Sequence, residues 1–129
     1  MDAIRDALAA DERVAFGLVF GSAARGTAVP GSDVDIAVGL MAGASLDHRA
    51  LGQLVARLEA VAARDVDVVV VDRAPPALAY RIFRDGVLLL ERDHAALVEA
   101  KTRAIVEYLD FQPVEALCAR GVLRAASDG

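Results

Sequence analysis

The sequence predicts an α/β fold in which helices cover one small β-sheet. Short runs rich in valine, isoleucine and leucine have the length of strands, and the segments between them carry apolar residues every three or four positions, as amphipathic helices do. The alternation of these two kinds of segment along 129 residues is typical of helices packed on a sheet. That length suits one core, so we expect residues 1–129 to form a single domain.

The first half of the chain reads as helix, strand, strand and helix. The expected elements are a short helix at 2–12, a strand at Val14–Phe20, a second strand that starts at 32–35 and runs over 36–40, and a helix at 46–63. The last of these has an apolar residue at nearly every turn, from Leu51 to Ala62.

The second half repeats the alternation and ends in helices. The expected elements are a strand at 65–72, a turn at Pro75 and Pro76 into a helix that reaches residue 84, a strand at 87–90, a helix at 97–109, and a last helix from Pro113 to about residue 126. We therefore expect residues 93–127 to form a C-terminal helical part.

Composition excludes several classes of protein. The 14 basic and 19 acidic residues give a net charge of −5, which argues against direct binding of DNA or RNA. No apolar run is long enough to span a membrane, and the acidic start lacks the features of a signal peptide. The single cysteine, Cys118, rules out an internal disulfide. These features favour a cytoplasmic protein without a membrane partner.

The first predicted strand ends in a segment suited to binding phosphate. Gly21 and Ser22 stop the strand, and small residues follow as far as Gly26, so the backbone can turn sharply and expose its N–H groups. If Ser22 caps a short helix there, its hydroxyl and the free N–H groups of the first turn face the same space. This arrangement binds phosphate without much positive charge.

Two carboxylates open the second predicted strand. Asp33 and Asp35 are two residues apart, so a strand would point both to one face, roughly 7 Å apart, while Val34 and Ile36 point to the other face. Two bare carboxylates repel each other, and one of them would be expected to take up a proton. A divalent cation removes this conflict, and oxygen ligands beside a phosphate site suit Mg²⁺.

The combined pattern resembles the signature of the nucleotidyltransferase superfamily that includes DNA polymerase beta. That signature is Gly-Ser, ten residues and Asp-x-Asp, and this chain has Gly21-Ser22, residues 23–32 and Asp33-Val34-Asp35. The fuller form, Gly-Ser-x-Ala-Arg-Gly followed by Ser-Asp-x-Asp, is also present. The resemblance covers about residues 10–92 and implies a mixed sheet.

The resemblance also implies a third catalytic carboxylate on the third strand. Val66-Asp67-Val68-Val69 matches the family's pattern best, and Asp67 is our candidate because an acid within a run of valines is costly to bury without a partner. Asp65 is the competitor, since it lies two residues away and on the same face.

By this resemblance, Asp33, Asp35 and Asp67 would hold Mg²⁺ and carry catalysis, while Gly21 and Ser22 would hold the nucleotide's phosphates. Two further residues have alternative interpretations. Arg25 could contact phosphate, or it could tie its loop to Asp33 or to a helix end. Ser32 could orient a metal ligand, or it could make only a local hydrogen bond in a turn.

Size narrows the resemblance to the minimal nucleotidyltransferases, and specifically to MntA-type antitoxins. Their pattern is also matched by looser motifs between residues 66 and 111, where Tyr108 is a core residue or could flank a base. The resemblance implies a hetero-oligomer with a HEPN ribonuclease toxin, HepT, and transfer of AMP from ATP to a tyrosine of that toxin. The alternatives are an antitoxin that acts by binding alone and a nucleotidyltransferase for small molecules.

Lys101 is the one lysine of the chain. It lies four residues from Leu97 and four from Ile105, which predicts that it shares their apolar stripe. Its ammonium group could reach the phosphates, or it could extend to solvent, and we favour the second interpretation.

Overall fold

A computed structural model describes residues 1–26 and 31–110, in which four strands form one mixed sheet. The strands are β1 (Val14–Phe20), β2 (Val34–Leu40), β3 (Val66–Val70) and β4 (Val87–Glu91), and their order in the sheet is β3-β2-β1-β4. β1 runs antiparallel to both β2 and β4, whereas β2 and β3 are parallel. The mixed sheet implied by the resemblance is therefore confirmed.

Helices connect these strands. They are α1 (Asp2–Ala9), α2 (Gly21–Arg25), α3 (His48–Ala62), α4 (Pro76–Asp85) and α5 (His94–Asp110), with a 3₁₀ turn at Val71–Arg73 after β3. All the elements predicted within the described residues are present, but α1 and β3 are shorter than expected and α5 begins three residues earlier. The end predicted for the third strand, residues 71–72, belongs to the 3₁₀ turn. The last predicted helix lies outside the described residues. No helix among the described residues has the length and apolar character needed to cross a membrane.

Two apolar clusters cover the two faces of the sheet. On one face, α1 and α3 pack against β-strand residues that include Val34 and Ile36, which are 1% and 0% exposed. On the other face, α4 and α5 pack against Phe16, Leu18 and Ala37. Because side chains alternate along a strand, Asp35 lies on the second face, with α4 and α5. The predicted burial of Val34 and Ile36 is thereby confirmed.

Helix α5 packs mainly through small residues, and of the predicted stripe Leu97 contacts the core whereas Ile105 is exposed. Ala100 and Ala104 are buried against the second face, whereas Ile105 is 38% exposed. Lys101 is exposed, as expected, but it does not lie on a buried stripe with Ile105. Alanines allow the helix to approach the sheet closely, and several larger apolar residues stay exposed: Val98, Ile105, Val106 and Leu109.

Candidate active site

The end of β1 lies against the carboxylate of Asp35. Phe20 is the register partner of Asp35, and Gly21 follows with a φ of 70°. A Cβ atom at position 21 would lie 2.4 Å from Oδ2 of Asp35, so a side chain there would collide with the carboxylate. Glycine is thus required both by the left-handed backbone and by the close approach of Asp35.

Ser22 lies inside the short helix and does not cap it. The helix begins at Gly21, and Phe20 holds the capping position, so the expected cap is wrong. The physical reason is that the positive φ of Gly21 turns the chain from the strand directly into the helix. Ser22 nevertheless belongs to the first turn of the helix, where backbone N–H groups point towards the end of the helix.

Two of the predicted acids, Asp35 and Asp67, are neighbours across the sheet, and the third, Asp33, acts on Asp35 through its charge. Asp35 and Asp67 are register partners on the parallel strands β2 and β3, whose spacing is about 4.8 Å, and register partners share one face of the sheet. Asp33 comes before the first residue of β2, so the alternation of the strand does not fix its direction. Its negative charge nevertheless acts on Asp35, as does that of Asp67.

Burial and the neighbouring carboxylates raise the pKa of Asp35. Burial is the largest cause, repulsion by Asp67 and then Asp33 adds to it, and the positive charge of Arg25 opposes it. The repulsion between these carboxylates agrees with the expectation from the sequence. A bound cation would relieve it.

The donor set suits a magnesium ion that also binds substrate. Among residues 1–26 and 31–110, no three histidine, cysteine, aspartate or glutamate side chains converge to hold a metal ion by themselves. Mg²⁺ does not need such a cage, because it binds through one or two carboxylates and completes its shell with water and substrate phosphates. Asp35 and its neighbours Asp67 and Asp33 offer such oxygen atoms on one edge of the sheet.

The reason for preferring Asp67 over Asp65 needs correction. Asp67 is exposed, not buried among valines, so the cost of burial does not identify it. What identifies Asp67 as the candidate is its register with Asp35 across the parallel strands. Asp65 lies before β3, and its carbonyl oxygen accepts a hydrogen bond from the N–H of Val34 at 3.0 Å.

Among the described residues, Ser32 has no hydrogen-bond partner for its hydroxyl and Arg25 has no ion pair with Asp33. The hydroxyl oxygen of Ser32 is buried and has no hydrogen-bond partner among the described residues, so the expected turn bond is not observed there. Within the described parts of the chain, no ion pair joins Arg25 to Asp33. Both side chains are therefore available to a ligand.

The structure adds residues of α4 that the sequence did not single out. A cavity of about 200 Å³ lies beside Gly21. It is lined by residues of β1, α2 and α4, namely Phe20, Gly21, Arg25, Leu78, Arg81 and Asp85. No sequence motif links residues 78–85 to the glycine-rich turn, because the two segments meet only through the packing of α4 against β1 and α2.

Comparison with known structures finds this fold in toxin–antitoxin complexes. A chain from the crystal structure of a toxin–antitoxin with AMP-PNP is 22% identical, with a TM-score of 0.74 over 99% of this chain and 98% of that one. A chain of the MntA–HepT toxin–antitoxin is 20% identical, with a TM-score of 0.66 over 98% and 94%. A chain of the tri-AMPylated HEPN toxin in complex with MNT antitoxin from Shewanella oneidensis is 19% identical, with a TM-score of 0.66 over all of both chains.

At these identities, the structures establish a shared fold. No curated protein matches the chain. The family model described as polymerase beta, nucleotidyltransferase matches residues 2–95, which include every acid of the candidate site. The chain belongs to the polymerase beta family of nucleotidyltransferases.

Proposed function

We propose that this protein transfers AMP from ATP to a tyrosine of a HEPN ribonuclease toxin, in a reaction that depends on Mg²⁺, and that it thereby acts as the antitoxin. Family membership supports nucleotidyl transfer. The AMP-PNP complex and the tri-AMPylated HEPN toxin among the structures with this fold support ATP, a HEPN partner and a hetero-oligomer. The observation that carries the proposal is the register of Asp35 with Asp67, beside Gly21, where a Cβ atom would lie 2.4 Å from Oδ2 of Asp35.

In this proposal, Asp33, Asp35 and Asp67 would hold the metal. When bound, Mg²⁺ neutralises phosphate charge and lowers the pKa of a nearby hydroxyl group. The raised pKa of Asp35 supports this assignment, because its cause, burial among like charges, is what a cation relieves.

The polar groups at the start of α2 would bind the nucleotide's phosphates. The hydroxyl of Ser22 and the N–H groups of its turn would donate to the β- and γ-phosphates, with the guanidinium of Arg25 nearby. The buried hydroxyl of Ser32, which has no partner among the described residues, would orient a ligand at the same edge.

The proposed reaction is an in-line displacement at the α-phosphorus. The phenolic oxygen of the acceptor tyrosine forms a bond to that phosphorus, the bond to the bridging oxygen breaks, and pyrophosphate leaves. Asp67 would accept the phenolic proton, because it is exposed towards an approaching partner and lies beside Asp35. Most of the rate would come from positioning and charge stabilisation.

The test combines modification with silencing of the toxin. The protein is incubated with ATP, Mg²⁺ and its HEPN partner, and both the partner's intact mass and its ribonuclease activity are measured. We expect the addition of one or more AMP groups and a loss of ribonuclease activity, neither of which Asp35→Asn should produce. Silencing by Asp35→Asn without a mass change would instead support the antitoxin that acts by binding alone.

The same experiment addresses the third candidate. If ATP is consumed while AMP appears on an added small-molecule hydroxyl and never on the HEPN partner, the small-molecule nucleotidyltransferase would stand. Asp65→Asn is the matched control, since it makes the same chemical change on the same edge of the sheet and should leave AMP transfer intact.

A further inference from the structure

The cavity between α2 and α4 contains two arginines that make no ion pair or side-chain hydrogen bond with the described residues. Arg25 and Arg81 both line it, and neither forms an ion pair or donates a hydrogen bond within the described ranges 1–26 and 31–110. A guanidinium group presents a planar fork of N–H donors that matches the oxygen atoms of a phosphate. Two such groups in one cavity indicate an anionic ligand.

The acid in the same cavity already has a partner. Asp85 accepts two hydrogen bonds from Arg84, at 2.9 and 2.8 Å. Arg84 is itself held over the ring of Tyr80 at 5.8 Å, and Tyr80 stacks on Tyr108 at 4.1 Å. The charges of Arg25 and Arg81 also act on Asp85, so three arginines face one carboxylate and positive charge is in excess.

This local excess of positive charge contrasts with the net negative charge of the whole chain. The protein carries a net charge of −5, yet Arg25, Arg81 and Arg84 surround a single aspartate here. A generally basic surface therefore does not explain the cluster. The arrangement favours a ligand with several negative charges.

The cavity lies next to Asp35, one of the three candidate metal-binding acids. Gly21 lines the cavity, and its Cα lies so close to Asp35 that a Cβ would contact the carboxylate. A ligand that reaches from the acids into the cavity would pass over Gly21 and end between the two arginines. A chain of phosphates has the required charge and shape.

We propose that this cavity binds the polyphosphate of the nucleotide and the pyrophosphate that leaves, with Arg81 of α4 as a phosphate-binding residue and Asp85 as an internal anion that competes with the ligand. This inference rests on the proposed function for the identity of the nucleotide. It goes beyond that function because it assigns binding to α4, outside the glycine-rich turn and the acids.

Calorimetric titration with inorganic pyrophosphate in the presence of Mg²⁺ tests the assignment without requiring AMP transfer. Arg81→Gln should weaken pyrophosphate binding by about tenfold, the usual effect of losing one charge-assisted hydrogen bond. Arg81→Lys keeps the charge and should retain most of the affinity. Asp85→Asn should strengthen binding, because it removes the competing negative charge.

Arg49→Gln is the matched control. Arg49 is an exposed arginine at the start of α3, which packs on the opposite face of the sheet, so its replacement should leave pyrophosphate binding unchanged. Titration with AMP is the second arm, and Arg81→Gln should bind AMP like the parent protein. Because Arg81 is exposed, both glutamine variants should also melt like the parent protein.

The outcomes separate this inference from the proposed function. Equal pyrophosphate affinities for Arg81→Gln and Arg49→Gln would overturn the role of Arg81, whatever happens to AMP transfer. Equal losses of AMP and pyrophosphate affinity in Arg81→Gln would also overturn it. The expected ranking of pyrophosphate affinities, found together with a failure to modify any HEPN toxin, would support the cavity and refute the proposed acceptor.

Discussion

Asp11 and Asp35 are both at least partly shielded from solvent, but the fold stabilises the charged form of the first and destabilises that of the second. The side chain of Asp11 is 5% exposed and accepts hydrogen bonds from Arg13 at 2.9 and 2.8 Å and from Arg57 at 3.3 Å. The hydrogen bond from Arg13 is the main cause of a lowered pKa at Asp11. Asp35 is half-buried beside two other acids, and its pKa is raised.

The difference separates an acid whose charge is paired within the chain from the acid that we propose to be catalytic. Asp11 joins the start of β1 to α3 through Arg57, and its charge is satisfied within the chain. The positive charge of Arg25 acts on Asp35 but does not outweigh burial and the repulsion by Asp67 and Asp33. A carboxylate kept in such surroundings destabilises the folded protein unless something from outside neutralises it. We infer that Asp35 is retained for chemistry.

The largest effect is expected at Asp35 itself. Asp35→Asn should reduce AMP transfer by about 100-fold or more, because a metal ligand and its charge are lost. Without metal, the same variant should melt at an equal or higher temperature, since the repulsion among the carboxylates is relieved. Enzyme assays and thermal unfolding measure the two effects. Full transfer activity in the double variant Asp33→Asn/Asp35→Asn would refute the metal site.

The next effect distinguishes the two acids of the third strand. Asp67→Asn should lower the turnover number by about 100-fold while ATP binding largely persists, because the loss of a proton acceptor affects the chemical step. Asp65→Asn should have little effect on either. Steady-state kinetics and ATP titration provide the comparison. The reverse ranking would mean that Asp65 is the acid that faces the acceptor.

A smaller effect, on stability alone, is expected at the paired acid. Asp11→Asn should lower the free energy of unfolding by about 2 kcal/mol, because it weakens charge-assisted hydrogen bonds to a buried group. The partners Arg13 and Arg57 are 39% and 51% exposed, which keeps the loss below that of a fully buried pair. Urea unfolding measures it. The variant should transfer AMP normally, and a loss of transfer would contradict the separation of the two acids.

The smallest expected effect is the pH dependence of the difference in unfolding free energy between the parent protein and Asp11→Asn. Because the folded protein lowers the pKa of Asp11 below its ordinary value of 3.8, the ionised form contributes stability above that pH. The contribution is lost as pH falls through the lowered pKa. The gap in unfolding free energy between the parent protein and Asp11→Asn should therefore be constant near neutrality and should shrink below pH 3.8. A gap that grows on acidification would contradict the ion pair.

The sequence predicted the parts of the site that depend on local pattern. The strand at Val14–Phe20, the glycine turn after it and the alternation at Asp35 follow from residue type and period, and the structure contains all three. The mixed sheet came from the family resemblance, since no local pattern distinguishes parallel from antiparallel partners.

Other features depend on contacts between distant segments and could not be predicted in this way. Arg81 became visible only when the packing of α4 brought it to the cavity with Arg25. Asp67 lies beside Asp35 because of the register between β2 and β3. The expected burial of Asp67, on which we based its choice, does not reveal this register. The buried face of α5 was misassigned because hydrophobicity favours Ile105, whereas close packing on the sheet favours Ala100 and Ala104.

The most direct test of the central claim compares the two acids on one substrate. The HEPN partner is incubated with ATP, Mg²⁺ and either Asp35→Asn or Asp11→Asn, at a temperature where both variants are folded, and its intact mass is measured. We predict that Asp11→Asn adds AMP to the partner as the parent protein does and that Asp35→Asn adds none. Equal addition of AMP by both variants would contradict the claim that Asp35 is kept unpaired for catalysis.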